Sequence, residues 1–402
     1  MQTFGSFLVS LVAASSLAAA APAASNDGTF AVPAQYNANA RLSGPAALAK
    51  IYTKYGKSLP QDLSQALLFE QHKVTSSAGA HPQDNDQYYT TPVEFGTPAQ
   101  TIYMDLDTGS SDLWVFSNDT YADQVNGQKL YLPGHSSTAK RLPKLTWDAQ
   151  YGDGSTSSGI VYSDVVSIGG AKVQNQAVES ARNVSEQFAT DARMSGVLGL
   201  AFGNLNTVKP TKQKTFFDNI MPSLKEPLFT VNLKHKADGT YKFGYIDPAD
   251  HNGPIAYSPV NTTGGYWTWT STGYAVGSKP FHKTPIINIA DTGSSLMTVP
   301  GKIASAYYDT IPGARYEFLQ GGFIFPCDAK LPDFTFGIDD KTRITIPGSL
   351  LNYAPAEGKD CYGGIQSSAF AGINIFGDVA LKAALVVFDG GKTRIGWAPK
   401  QL

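Results

Sequence analysis

The pentapeptide Asp107-Thr108-Gly109-Ser110-Ser111 returns 184 positions later as Asp291-Thr292-Gly293-Ser294-Ser295. Apolar residues precede each Asp, Leu106 in one copy and Ile289-Ala290 in the other. A Leu and a Val follow each, Leu113 with Val115 and Leu296 with Val299. At ~6 % usage per residue type, two such copies arise by chance with a probability below roughly 10⁻⁶. The spacing fits a duplication into two halves of about 160 residues each.

An Asp on a tight, Gly-containing turn behind an apolar strand is a carboxylate held at a strand end. The neighbouring Thr and Ser hydroxyls can donate hydrogen bonds that fix its orientation. One such turn is only a turn, whereas two, one per half, are expected to meet across a pseudo-two-fold axis. Carboxylates brought within ~3 Å repel by about 5 kcal/mol at an effective dielectric of ~20, which is roughly 4 pKa units. Such a pair shares one proton over a broad acidic range, giving a base to activate water and an acid to protonate a carbonyl. The titration belongs to the dyad and not to either member.

Composition agrees with a folded, strand-rich chain. Of 402 residues, 42 % are apolar, 11 % aromatic and only 16 % charged, which argues against disorder and coiled coil. Gly 39 and Pro 24, with Tyr 20 and Phe 21, suit an all-β protein with many turns. Lys+Arg 31 against Asp+Glu 33 leaves a net charge of -2, without the basic excess of a nucleic-acid binder. Two cysteines exclude a disulfide-dense scaffold and a Cys-rich metal cluster. The six histidines form no H-E-x-x-H, and no G-x-S-x-G or P-loop motif occurs.

The N-terminus reads as an address. Residues 7–20 are apolar or small and end in an Ala-rich stretch before Pro22, the pattern of a secretory signal over 1–20, although no Lys or Arg precedes it. The run is too short and too Ala/Ser-rich to span a bilayer, so an exported protein without a membrane anchor is expected. Three N-x-[ST] sequons, at Asn118, Asn183 and Asn261, fit that route. Residues 21–77 are rich in Ala, Ser, Pro and Gly, with a basic excess from Arg41, Lys50, Lys54, Lys57 and Lys73. This stretch is either a pro-region or a solvated linker, with a helix over Ala46–Tyr55 whose stripe is Leu48, Ile51 and Tyr55. Strands follow over 88–95, 100–106 and 113–116, and a hairpin over 145–167 has Gly152-Asp153-Gly154-Ser155 at its tip. Short helices are expected at 216–224, 302–311 and 379–384, and core strands at 386–388 and 394–398. The halves divide into 78–250, which carries the hairpin, and 251–402.

These motifs make the chain resemble the pepsin-like aspartic endopeptidases, the secreted fungal ones most closely. The resemblance runs from about Gln87 to the C-terminus and is weaker upstream. It rests on both D-T-G-S-S turns, on Tyr151-Gly152-Asp153-Gly154-Ser155, on Gly196-Val197-Leu198-Gly199-Leu200 and on Ile375-Phe376-Gly377-Asp378. It implies an all-β bilobal fold with a cleft between the lobes and Asp107 and Asp291 as the catalytic pair. Ser110 and Ser294 would bond their outer oxygens, and Thr108 and Thr292 would lock the turns together. Tyr151 would sit on a mobile flap, its hydroxyl held by Trp114. Backbone groups of Gly109, Gly152, Asp153 and Gly293 would bind an extended peptide as an added strand. Val197-Leu198-Gly199 and Ile375-Phe376-Gly377 would support the turns from beneath.

The resemblance further implies a Cys327–Cys361 disulfide and, for Lys54-Tyr55, an ammonium and a phenol of the pro-region placed at the aspartates of a latent precursor. A flap Asp at position 153, with Asp105 on the face of Asp107, would let the specificity pocket take Lys as well as bulky apolar residues. Polypeptide substrates, the chain's own propeptide and pepstatin-type inhibitors are then the partners. Neither a metal nor a cofactor is expected, and neither nucleic acid nor membrane is a partner of this expected monomer. The medium is the expected destination, with the vacuole as the lesser alternative. Two other classes are weaker. An inactive β-rich binding protein would show damage in one turn or in Tyr151, and a two-carboxylate glycosidase would set unlike carboxyls about 5–9 Å apart.

Overall fold

A computed structural model describes residues 27–37, 43–76, 89–150, 156–189, 192–369 and 371–402. They form a bilobal, mostly β molecule. Thirteen strands make one continuous sheet that runs from Ala256–Pro259 at one edge to Lys140–Gln150 at the other. Smaller sheets of five, three and four strands complete the second half. The central strands Leu228–Lys234 and Ala384–Asp389 are buried on both faces along nearly their whole length, the first enclosing Thr230 and Asn232 among its apolar residues.

The stretch upstream of the repeat is built into this body. The strand Phe30–Tyr36 (β1) alternates buried and half-buried residues, pairs antiparallel with Ala237–Phe243 and hands on to Tyr89–Phe95 through Gln35 and Tyr36. Phe30 stacks on Phe243 at 4.6 Å, and Val32 and Ala34 are fully enclosed. The helix Gly44–Lys54 (α1) starts at Ser43, whose hydroxyl accepts the Ala46 N–H, and has Pro45 in its first turn. It buries Leu48, Ile51 and Tyr52, with Tyr55 just beyond its end. The helix Gln61–Ser76 (α2) lies on the loop around residues 318–320 through Leu63, and Gly321 faces that residue closely. Phe30, Val32, Leu48, Ile51 and Leu63 are all part of the large core cluster. At roughly 2 kcal/mol per buried side chain, they hold the segment with on the order of 10 kcal/mol.

Most strands lie where expected. Those over Tyr89–Phe95, Gln100–Asp107, Leu113–Val115 and Arg394–Pro399 agree within about two residues. Three helices need correction. The one at 216–224 is α-helical only over Phe216–Ile220, because Pro222 directs the chain into a 3₁₀ turn over Met221–Ser223. The one at 302–311 ends at Tyr308, and the one at 379–384 is Asp378–Leu381, Ala384 already opening a strand. β1 and α2 were not expected at all. A disulfide joins Cys327, just past the strand Gly322–Pro326, to Cys361 in the paired strand Asp360–Gly363.

Candidate active site

The two repeated turns hang from equivalent scaffolds. The strand Gln100–Asp107 runs parallel to Gly196–Gly199, with Asp107 opposite Gly199, and Ile286–Ala290 runs parallel to Asn374–Phe376. Gly199 donates its N–H to the Asp112 carbonyl at 2.9 Å, and Gly377 donates to Leu296, the equivalent residue, at 3.2 Å. Only glycine fits under either turn. A Cβ on Gly199 would lie 2.5 Å from the Ser110 carbonyl, and one on Gly377 would lie 2.2 Å from that of Ser294. The apolar-apolar-Gly segments thus do lie against the turns.

The turns meet across the two halves through their threonines. The Thr108 N–H donates to the Thr292 hydroxyl at 3.0 Å, and the Thr292 N–H to the Thr108 hydroxyl at 3.0 Å. Each hydroxyl donates onward to a carbonyl of the opposite strand, Thr108 to Ala290 at 2.9 Å and Thr292 to Leu106 at 2.5 Å. All four groups are buried, so this exchange fixes the relation of the two turns.

Asp107 and Asp291 are 3 % and 0 % exposed. In each, the outer oxygen Oδ2 accepts from the turn serine, Ser110 or Ser294, at 2.5 Å. The inner oxygen Oδ1 accepts the amide of the turn glycine, Gly109 at 2.8 Å or Gly293 at 3.0 Å. Between the inner oxygens lies the ammonium of Lys54, 2.7 Å from each. The Tyr55 hydroxyl donates to Asp291 Oδ2 at 2.8 Å, and its ring leans on Tyr266 at 5.1 Å. The Gly109 and Gly293 N–H groups are therefore given to the aspartates in this state.

One cation placed against two anions sets the electrostatics. Burial alone raises the Asp107 carboxyl, but Lys54, Ser110 and the Gly109 amide outweigh it and hold it down at about 2. Burial works against the charge on Lys54, and the two carboxylates reverse this and push it well above the ordinary lysine range. Burial, followed by the nearby carboxylates, pushes the Tyr55 phenol far up, so it stays a donor. Asp105 is buried on the same strand. Burial lifts its carboxyl to about 7 against the pull of Lys50, which lies one turn before Lys54 on α1.

Trp114 is fully buried, packed against Trp147, Phe116 and Phe188. Tyr151, Gly152 and Asp153 lie outside the described residues. Asn118, Asn183 and Asn261 are all exposed.

A pair that sequence reasoning missed lies just behind the first turn. The Asn206 amide donates to Asp112 Oδ1 at 2.8 Å and to Glu179 Oε1 at 2.9 Å, with both carboxyls buried. Glu179 Oε2 finds no partner among the described residues. Burial raises Asp112 to about 6, and burial together with Asp112 raises Glu179 well above its ordinary value. The folded state thus keeps protons that an unfolded chain releases above pH ~4. Stability falls as pH rises from there, by up to about 1.4 kcal/mol per pH unit for each proton. Glu179→Gln keeps an acceptor for Asn206 and supplies a donor to Asp112. Its urea midpoint, measured in an Asp291→Asn background to prevent self-digestion, should match the parent's at pH 4 and exceed it at pH 7. Parallel pH profiles for the two proteins would refute the assignment.

Residues 87–400 match the family model described as eukaryotic aspartyl protease. Endothiapepsin of Cryphonectria parasitica is 51 % identical over 381 residues, covering 93 % of this chain and 91 % of its own. Aspergillopepsin-1 of Aspergillus oryzae is 43 % identical over 394 residues, 98 % of each chain. Penicillopepsin-2 of Penicillium janthinellum is 41 % identical over 406 residues, the whole of both. With twin Asp-Thr-Gly turns joined at one site and relatives matched over nearly their full lengths, the chain belongs to the pepsin-like eukaryotic aspartyl proteases and is an aspartic-type endopeptidase.

Proposed function

We propose that the protein is the latent precursor of an exported acid endopeptidase, with Asp107 and Asp291 as its catalytic pair and residues 21–77 as its inhibitory segment. The observation that carries this reading is the Lys54 ammonium 2.7 Å from both carboxylates, where a reacting water would otherwise stand. Once the segment leaves, the dyad holds one proton between its members. The ionised carboxylate takes a proton from water as the water oxygen attacks the peptide carbonyl carbon. The protonated carboxyl gives its proton to the carbonyl oxygen, forming a gem-diol. Collapse breaks the C–N bond as the leaving nitrogen takes up a proton. The serine and glycine donors hold both carboxyls in place throughout.

The cleft takes about seven or eight residues of extended polypeptide, with large apolar side chains at the cut. Self-cleavage on acidification falls near residues 70 to 78, and the signal over 1–20 directs export to the medium. Among the described residues no helix is long and apolar enough to cross a membrane.

Acid-treated protein incubated with haemoglobin or casein should digest it, pepstatin should stop the reaction, and chelators should not. Undigested substrate, or digestion untouched by pepstatin, overturns the reading. Asp153, aided by the buried carboxyl of Asp105, accommodates Lys before the cut. Asp153→Ser should therefore lower cleavage after Lys relative to Phe at least tenfold, and an unchanged ratio on paired peptides would remove the role.

A further inference from the structure

We propose that Asn261 carries an N-linked oligosaccharide that covers the uncharged surface around Ile287. The inference rests on the export reading above and adds to it a modification site with a defined task.

All three sequon asparagines are exposed, yet their settings differ. In Asn118-Asp119-Thr120 the threonine hydroxyl is enclosed, accepting the Ser117 N–H at 3.1 Å and donating to the Ala181 carbonyl at 2.8 Å. Asn183 sits in the strand Ala171–Val184 opposite Ser158 of Thr156–Ile168, beside the start of the latter strand. Asn261-Thr262-Thr263 is a surface turn. The Asn261 N–H donates to the Thr268 carbonyl at 2.8 Å, and its side-chain Oδ1 accepts the Thr263 N–H at 3.0 Å. The amide is thereby oriented, while its Nδ2 has no acceptor among the described residues.

The ground beside this turn is unusual. Asn261 faces Thr268 across a β-bridge, and the strand Thr268–Ser271 pairs with Ile286–Ala290 so that Thr270 stands opposite Ile287. Ile287 is 64 % exposed, a large apolar residue left in water. Shallow grooves of about 440 and 260 Å³ flank it, one of them bordered by Asn261 itself, and neither contains an acidic, basic or histidine side chain. In a chain with 16 % charged residues, such an area suits a neutral occupant with apolar faces and polar edges. An N-acetylglucosamine pair has that character, and it is tethered where it needs to lie. A phosphate, nucleic acid or acidic peptide would find no cation among the described residues that line these grooves.

The modification balances with the donor of the secretory route, a lipid pyrophosphate-linked oligosaccharide. The Asn261 Nδ2 forms a bond to the anomeric carbon and gives up a proton to the transferase. The bond from that carbon to the pyrophosphate oxygen breaks, and the lipid pyrophosphate leaves with the electron pair. Transfer to the chain before it folds needs only the sequon. The fold then determines what the sugar covers.

The test uses the full chain expressed in a eukaryotic secretory host. The protein is digested with an endoglycosidase that leaves one N-acetylglucosamine, and each sequon peptide is read by mass spectrometry. Asn261 should carry the stub. An unmodified Asn261 overturns the inference wherever the protein is recovered, while a modified Asn261 in protein retained inside the cell keeps the site and overturns only export to the medium. For the covering role, Asn261→Gln should self-associate at least threefold more by light scattering, and adding Ile287→Thr should restore the parent value. Unchanged scattering for Asn261→Gln would overturn that role.

Discussion

Asp291→Asn should leave the molecule folded and lower kcat/KM on peptide substrates by on the order of 10⁴, with Asp107→Asn matching it. The substitution keeps the shape of the side chain. Its carbonyl oxygen still accepts the Gly293 amide, and its NH₂ can turn to Ser294, whose hydroxyl then accepts instead of donating. What disappears is the ability of one member to exist as an acid or a base. An amide can neither take the proton of the attacking water nor return one to the leaving nitrogen. Because the dyad shares a single proton, loss of either carboxyl removes both functions, and the double variant should be no worse than each single one. Asp105→Asn is the informative control. Its carboxyl is buried on the same strand, but among the described residues the Lys54 ammonium forms its ion pairs with Asp107 and Asp291 and not with Asp105. It should retain at least a tenth of the parent activity. A thermal melt within a few degrees of the parent confirms that the fold survives. An Asp291→Asn protein that keeps more than a hundredth of the parent rate, still blocked by pepstatin, would end the assignment.

The fold was legible chiefly because the sequence states its active turn twice. Asp107 and Asp291, their flanking apolar strands and the glycines of Val197-Leu198-Gly199 and Ile375-Phe376-Gly377 obey local rules that a close packing of turn on strand enforces. β1 was hidden for the opposite reason. Its Phe30-Ala31-Val32-Pro33-Ala34 pattern alternates, but Ala and Pro dilute it, and a proline argues against a sheet interior. Pro33 is tolerated because residues 30–34 pair on one side only, with Ala237–Phe243. α2 escaped notice because it is anchored chiefly by Leu63 and Ala66 while Leu68 stays exposed, a stripe too narrow to stand out. Asp112, just before the strand Leu113–Val115, and Glu179, in the strand Ala171–Val184, lie 67 residues apart in sequence and are brought together beside Asn206 by the fold, so no local pattern could reveal them. Lys54 is intermediate. Its place in a helix follows from periodicity, whereas its destination between two aspartates came from resemblance alone.

That destination gives the other large effect. Replacing Lys54 by Met should raise the pH at which the precursor opens and increase its activity at pH 5 at least a hundredfold over the parent precursor. In the closed form Asp107 is held at about 2, below the ordinary 3.8 of a free Asp. A depressed carboxyl stabilises the closed form above pH ~4, and this contribution is lost as pH falls through the depressed value. On the proposed reading the open dyad keeps one proton, so closing releases it, and each unit of acidification should shift the balance toward opening by up to tenfold. Without the ammonium, α1 must cover two carboxylates that have lost their buried counter-ion. Removing one partner of such a group costs about 3–5 kcal/mol, a factor of roughly 10²–10⁴ in the closed population. The hydrophobic anchors Leu48, Ile51 and Leu63 remain, so the segment stays attached to the lobe while its hold on the dyad weakens. Lys54→Arg, which keeps a cation, should lie between parent and Met variant, because the wider guanidinium cannot reproduce two 2.7 Å contacts from one nitrogen. Cleavage of an internally quenched peptide in the first seconds after a pH jump, with intact precursor followed on gels, separates opening from processing. If the Met variant remained as silent at pH 5 as the parent and converted over the same pH range, Lys54 would be a buried cation without a part in latency.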